Sequence, residues 1–207
     1  MLQWILEAAP PSGQGLNSLI MRMMEINMSG LHTAGITLYQ ALFRLVLYPE
    51  HIPELRKEME ENISNHGWNK GSMSKMVKLD SFMKETQRLQ GPSICLMGRK
   101  VLGKGFTFSN GLHLPPGVTV SIPETVHTDE KEYGSNAEDF DGFRFSRPVE
   151  EVMGKDQAQG TVRRKYFVTT GLNYLRFGHG HGAVSFLFPF PFPFFFFFFI
   201  MKRAMGS

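Results

Sequence analysis

Residues 81–90 read SFMKETQRLQ. Their apolar and charged side chains recur at helical spacing. With Leu79, the residues Phe82, Met83, Thr86 and Leu89 form one stripe, and Glu85 and Arg88, three apart, share a face. Asp80 stands where a helix N-cap would, and Gly91-Pro92 stops the run, so the spacing predicts a helix over 80–90. Glu and Arg at this separation ordinarily make a surface ion pair. ETQR therefore acquires meaning only from its neighbours.

Upstream, residues 16–48 read as one long helix, with Leu19, Met23, Ile26, Leu31, Leu38, Leu42 and Val46 near helical spacing and Pro49 closing it. Its middle, MSGLHTAGIT, places Gly30, Thr33, Gly35 and Thr37 where stronger helix formers would cost less. A group close to the backbone, or a local distortion, is the expectation there. A second helix is expected over 53–64, with Pro53 in its first turn. Downstream the period changes. FTFSNGLHL alternates on both sides of Asn110-Gly111, which predicts a tight hairpin, and PPGVTVSIP reads as a strand bounded by prolines. From His127 to about Leu172 the chain reads as irregular. The architecture expected is mainly α with a small β component.

Composition bounds the function. The net charge of +3 is small for 207 residues, and the tightest basic group, Arg163-Arg164-Lys165, is too short to propose nucleic acid as a partner. Cys95 is the single cysteine, which excludes a disulfide framework and any multi-cysteine metal site. His179 and His181 have no cysteines nearby to complete a zinc set. The start, MLQWILEAAPPSGQG, lacks the basic flank and apolar run of a signal peptide and opens as if in mid-helix, the expectation for a truncated gene model. Phe186–Met201 is apolar but shorter than the ~20 residues of a spanning helix, and Pro189, Pro191 and Pro193 interrupt it.

Order along the chain gives the weak motifs their weight. A long helix centred on SGLHT precedes ExxR, then come a hairpin, the aromatic-arginine loop FDGFRF at 140–145, and FGHGHGA at 177–183. This series resembles the C-terminal, haem-facing half of a cytochrome P450, over about residues 1–183, and SFMKETQRLQGPSICLMGRKV looks most like fungal members acting on terpenoids and other hydrophobic metabolites. The resemblance implies roles. Gly30 would admit oxygen and substrate to the helix backbone, His32 stands where the family has an acid, and Thr33 would hydrogen-bond bound oxygen. Glu85, Arg88 and Arg144 would form a structural network beneath the haem. Arg99 and His127 would meet haem propionates, and Phe177, Gly178 and Gly180 would shape the ligand loop.

In the resembled pattern, FGxGxxxC, the cysteine thiolate binds haem iron and pushes electron density into the O–O bond. Counted from Phe177, that position is Val184, and no metal ligand stands there. Val184-Ser185 permits the nucleotides of a splice donor, and Phe, Leu and Pro codons are pyrimidine-rich. Residues 184–207 thus read as intron read-through, with a tail anchor or a pseudogene as the alternatives, and residues 1–183 as a partial cytochrome P450 domain. The resemblance implies a haem-thiolate monooxygenase of small hydrophobic substrates, inactive as written. It also implies, for the family, NADPH-cytochrome P450 reductase as electron donor and the endoplasmic reticulum membrane as location; the expectation that this chain lacks the N-terminal anchor leaves its own location open. The competing reading is a non-catalytic, membrane-associated or interaction remnant using the Phe-rich tail.

Overall fold

The computed structural model describes residues 2–10, 14–91, 93–149, 166–180 and 183. The expectations attached to His181, Val184 and the Phe-rich tail lie outside the described residues. The fold is mainly α with a small β component. Helix α1 (Leu2–Ala8) rests on the start of α2 (Leu16–Leu47) through a small cluster of Ile5, Ala9, Leu19 and Met23.

Helix α2 runs unbroken through MSGLHTAGIT, so the expected distortion is absent. The Thr37 hydroxyl instead donates to the Thr33 carbonyl at 2.8 Å, the local bond available to a mid-helix threonine. The apolar series marks the buried face only in part: Leu19 is buried and Leu38 and Leu42 pack against the main core, whereas Leu31 and Val46 are 67% and 78% exposed. In the C-terminal half of the helix Thr37, Gln40, Ala41 and Leu45 are the buried positions, and three of them are four apart on one face. Small side chains there let a later helix, Val77–Leu89, approach, and its Gln87 amide donates to Thr37 Oγ1 (2.9 Å) and Gln40 Oε1 (3.1 Å).

A 3-10 turn (Pro49–His51) leads into α3 (Ile52–His66), which buries Leu55 and Met59 and ends at Gly67, where φ of +68° favours glycine. The short α4 (Lys70–Ser74) starts from a capping box of Asn69 and Ser72. Helix α5 (Val77–Leu89) begins before Asp80, which is therefore not its cap. The cap arrives from another helix: the Glu58 carboxylate of α3 accepts from the backbone N–H of Lys78 (2.8 Å) and Leu79 (2.9 Å). Asp80 Oδ2 accepts the Phe167 N–H at 3.0 Å and so ties down a distant segment. Burial raises the Glu58 pKa above its usual range, against the pull of those amides. Glu58→Ala should lower stability by about 1–2 kcal/mol, read as a fall in the urea midpoint at unchanged slope. An unchanged midpoint would leave the α5 terminus to solvent.

Ten consecutive residues of α5, Leu79 to Arg88, are buried. Leu79, Phe82 and Met83 enter the main core with Ala41, Leu45, Leu55, Met59 and Phe167. Polar side chains survive there because each finds partners. Ser81 donates to Gly142 O (2.9 Å) and accepts from the Phe145 and Ser146 amides. Lys84 donates to Tyr166 O (3.0 Å) and lies 4.5 Å from the centre of the Tyr174 ring.

The strands are β1 (Cys95–Lys100), β2 (Phe106–Thr107), β3 (His113–Leu114) and β4 (Thr119–Pro123). β1 and β4 pair antiparallel, from Cys95 opposite Pro123 to Lys100 opposite Thr119, with an irregularity between Leu96 and Arg99 where Met97 takes φ of +51°. β2 and β3 form the expected hairpin, but its turn is wider than Asn110-Gly111 alone. Phe108 N–H donates to Leu112 O and Gly111 N–H to Phe108 O, so Ser109-Asn110-Gly111 make a three-residue loop with Gly111 at φ +88°. Within the stretch read as irregular lie part of a 3-10 turn (Glu124–Thr128) and α6 (Glu130–Tyr133).

Candidate functional site

Helix α5 presents Glu85 and Arg88 inward, both fully buried. Arg88 Nε and Nη2 grip the carboxylate at 2.7 and 2.8 Å, a two-point pairing that fixes both planes. The remaining Arg88 protons reach backbone carbonyls: His127 and Ala137 at 2.6 Å each, and Asp139 at 3.4 Å. Arg144 joins from the FDGFRF loop, its Nε 3.1 Å from Glu85 Oε1. Its terminal nitrogens donate to Tyr133 O, Asn136 Oδ1, Asn136 O and Asp139 O at 2.9–3.2 Å. The Asp141 amide adds a further donor to Glu85 Oε1 at 3.2 Å. One carboxylate thus balances two guanidinium groups while residues 127–144 wrap around them. Nothing in this arrangement moves a proton; it holds a loop.

His127 lies against the same arginine, fully buried. Its Nε2 accepts the Leu175 N–H at 2.9 Å, while Nδ1 is buried with no hydrogen-bond partner among the described residues. Burial, then the charges of Arg176 and Arg88, lower its pKa from 6.5 to about 3, so the ring is neutral at ordinary pH. Tyr133, its phenol donating to Asn173 O at 2.6 Å, is pushed up to about 12, chiefly by burial.

Leu175 begins the glycine loop. Phe177 packs edge-on against Phe167 with ring centres 5.1 Å apart, which anchors the loop in the core. Gly178 and Gly180 take φ of +74° and +70°, so the loop's path requires glycine at both. His179 is exposed, its Nδ1 3.4 Å from Thr170 Oγ1.

The remaining sequence-predicted residues stand apart from this network. His32 and Thr33 lie on an exposed part of α2, and Gly30 is half-buried. Arg99 is exposed on β1, where its Nη1 donates to the Gly98 carbonyl at 3.0 Å. Sequence reading missed Lys84, Ser81 and Arg176, all buried in side-chain terms around α5. Only the tertiary fold reveals them, since nothing in their spacing separates them from surface residues.

The family model described as Cytochrome P450 matches residues 6–168. The chain belongs to the cytochrome P450 family. Cytochrome P450 monooxygenase 71 of Postia placenta is 37% identical over 179 residues, covering 86% of this chain and 34% of the relative. Cytochrome P450 monooxygenase olcJ of Penicillium canescens is 34% identical over 180 residues, or 86% and 32%. Ent-kaurene oxidase P450-4 of Gibberella fujikuroi is 28% identical over 183 residues, or 86% and 35%. The chain spans about a third of the length of the curated relatives it matches.

Haem is the cofactor that a cytochrome P450 implies, and the donor chemistry present does not fit its iron. Val184 has no donor atom, and the single thiol, Cys95, is exposed at the first residue of β1. Among the described residues no three His, Cys, Asp or Glu side chains converge. Among them, too, no helix is long and apolar enough to cross a membrane.

Proposed function

We propose that residues 1–183 are the haem-facing part of a fungal-type monooxygenase for small hydrophobic, terpenoid-type substrates, and that the chain as written does not turn over. The buried Glu85–Arg88–Arg144 network carries this reading, because it fixes residues 127–144 and moves no proton, which suits the structural role expected of it beneath a haem. Valine at 184 supports the second half, since the thiolate bond to iron has no donor there. A relative named for ent-kaurene oxidation is in line with the terpenoid class. In the same reading Gly30 admits oxygen and substrate, His32 stands at the acid position and Thr33 bonds oxygen, while Arg99 and His127, whose Nδ1 has no hydrogen-bond partner among the described residues, are the propionate contacts. In the family NADPH-cytochrome P450 reductase supplies electrons at the endoplasmic reticulum membrane, and in this reading residues 184–207 are intron read-through.

The test is spectroscopic. Supplied with haem, reduced and exposed to carbon monoxide, the chain as written should give no thiolate-type difference band. Val184→Cys alone should not restore it, because the hydrogen bonds that support such a sulfur come in the family from the segment after the ligand, which here is Phe-rich. A stable band in proportion to protein from the unaltered chain would refute the inactive reading. Transcripts that resume with cysteine at position 184 would support the intron reading, and uniform transcripts encoding the phenylalanines would overturn it.

A further inference from the structure

We infer that Arg176, paired with Glu124, is a positioning residue that locks the base of the FGHG loop to the C-terminal end of α5 through contacts distinct from those of Glu85. The inference rests on reading that loop as the cofactor-facing one. The Arg176 side chain is 1% exposed, although it immediately precedes the loop's Phe177. Its Nη2 donates to the Glu124 carboxylate and to the Arg88 carbonyl (2.8 Å), and Nη1 donates to Ser93 O (3.3 Å). The Arg88 carbonyl lies in the last turn of α5, where the backbone acceptors have no intrahelical partner. A cation there also matches the negative end of the helix dipole. Glu124 closes the unit by accepting the Gly91 N–H at 3.2 Å, so one carboxylate holds both the arginine and the residue just past the helix.

Glycine at 91 is part of the same unit. A Cβ there would sit 2.1 Å from Arg176 Nη1 and 2.4 Å from Cζ. An arginine end can usually swing away, but this one is held by three acceptors. The lock therefore reaches the loop through a short chain of contacts. Arg176 adjoins Leu175, whose amide bonds His127 and whose carbonyl accepts the Gly178 N–H at 2.9 Å. Arg88 holds the two ends together: its guanidinium serves the network and its carbonyl serves the lock.

Hydrogen exchange on the full chain tests this without any cofactor, so its outcome is separate from that of the carbon monoxide spectrum. Arg176→Gln and Gly91→Ala remove the lock by different routes, one by charge and one by volume. Both should speed exchange of the Tyr174, Leu175 and Gly178 amides by roughly 10- to 100-fold while leaving Leu55 and Met59 of α3 at their native rates. Arg176→Lys, which keeps the charge, should restore part of the protection. Unchanged loop protection in both variants would overturn the inference. So would equal acceleration in α3, because the pair would then act only on global stability.

Discussion

Glu85→Ala should abolish cooperative folding of the described core or bring it close to that point. The substitution leaves Arg88, with no exposed surface, and the mostly buried Arg144 facing each other without their shared carboxylate. It also strands the Asp141 amide. Breaking a buried charged pair by removing one partner costs on the order of 3–5 kcal/mol, and ordinary domains hold only about 5–15 kcal/mol in total. The measurement is the denaturant midpoint, with Glu61→Ala as control. Glu61 pairs with Lys57 at 3.9 Å on an open surface, where such pairs contribute little. A native-like midpoint for Glu85→Ala would show that loop 127–144 is held by other contacts. Glu85→Gln should also be severe, since it keeps an acceptor but leaves two cations without a countercharge.

Stability should fall steeply as the solution is acidified, and His127 should carry much of the slope. Its pKa is lowered on folding from 6.5 to about 3, so between those values the unfolded chain binds a proton that the folded chain refuses. The stabilisation is complete above about pH 6.5 and is lost as pH falls toward about 3. Integrated over that window, and discounted for solvent screening, the effect is on the order of a few kcal/mol. The groups that disfavour the imidazolium are Arg176 from the glycine loop and Arg88 from α5, and burial is the larger cause. His127→Gln keeps an acceptor for the Leu175 amide and cannot be charged. Its denaturant midpoint should vary less between pH 6.5 and 4.5 than that of the native chain. Equal pH dependence in both proteins would assign the slope to carboxylates.

The long helices were readable because their length, breakers and apolar period all agree. The strands were readable because proline and Asn-Gly punctuate an alternating pattern. Helix α5 shows where such reading stops. Lys84 and Gln87 fall outside the apolar stripe read from periodicity, yet they are as buried as Arg88, each against a partner distant in sequence. Asp80 looked like a cap because caps are normally local, whereas the actual cap, Glu58, sits on the preceding long helix. Thr37 and Ala41 define the contact face of α2, although larger apolar residues on that helix drew the eye. At the site, the motif residues Glu85, Arg88 and Arg144 converge in space. Arg176 carried no motif, since a lone arginine beside a phenylalanine has no pattern until the fold supplies Glu124.

The enclosure of α5 has a consequence for how the chain is made. A segment of 13 residues is marginal as a free helix, and this one is rich in polar groups that need partners. Phe167, which bonds Asp80, lies 87 residues further on, and Arg176 lies 88 beyond the Arg88 carbonyl it caps. At about 5–20 residues per second, a ribosome needs roughly 4–17 s to deliver those partners after residues 80–88 have been joined. Throughout that interval the segment has left the peptidyl-transferase centre with its final contacts still unwritten, a natural client for chaperones that hold nascent chains. Synonymous codons that slow translation between residues 90 and 176 would lengthen that exposure without altering a single contact in the finished fold.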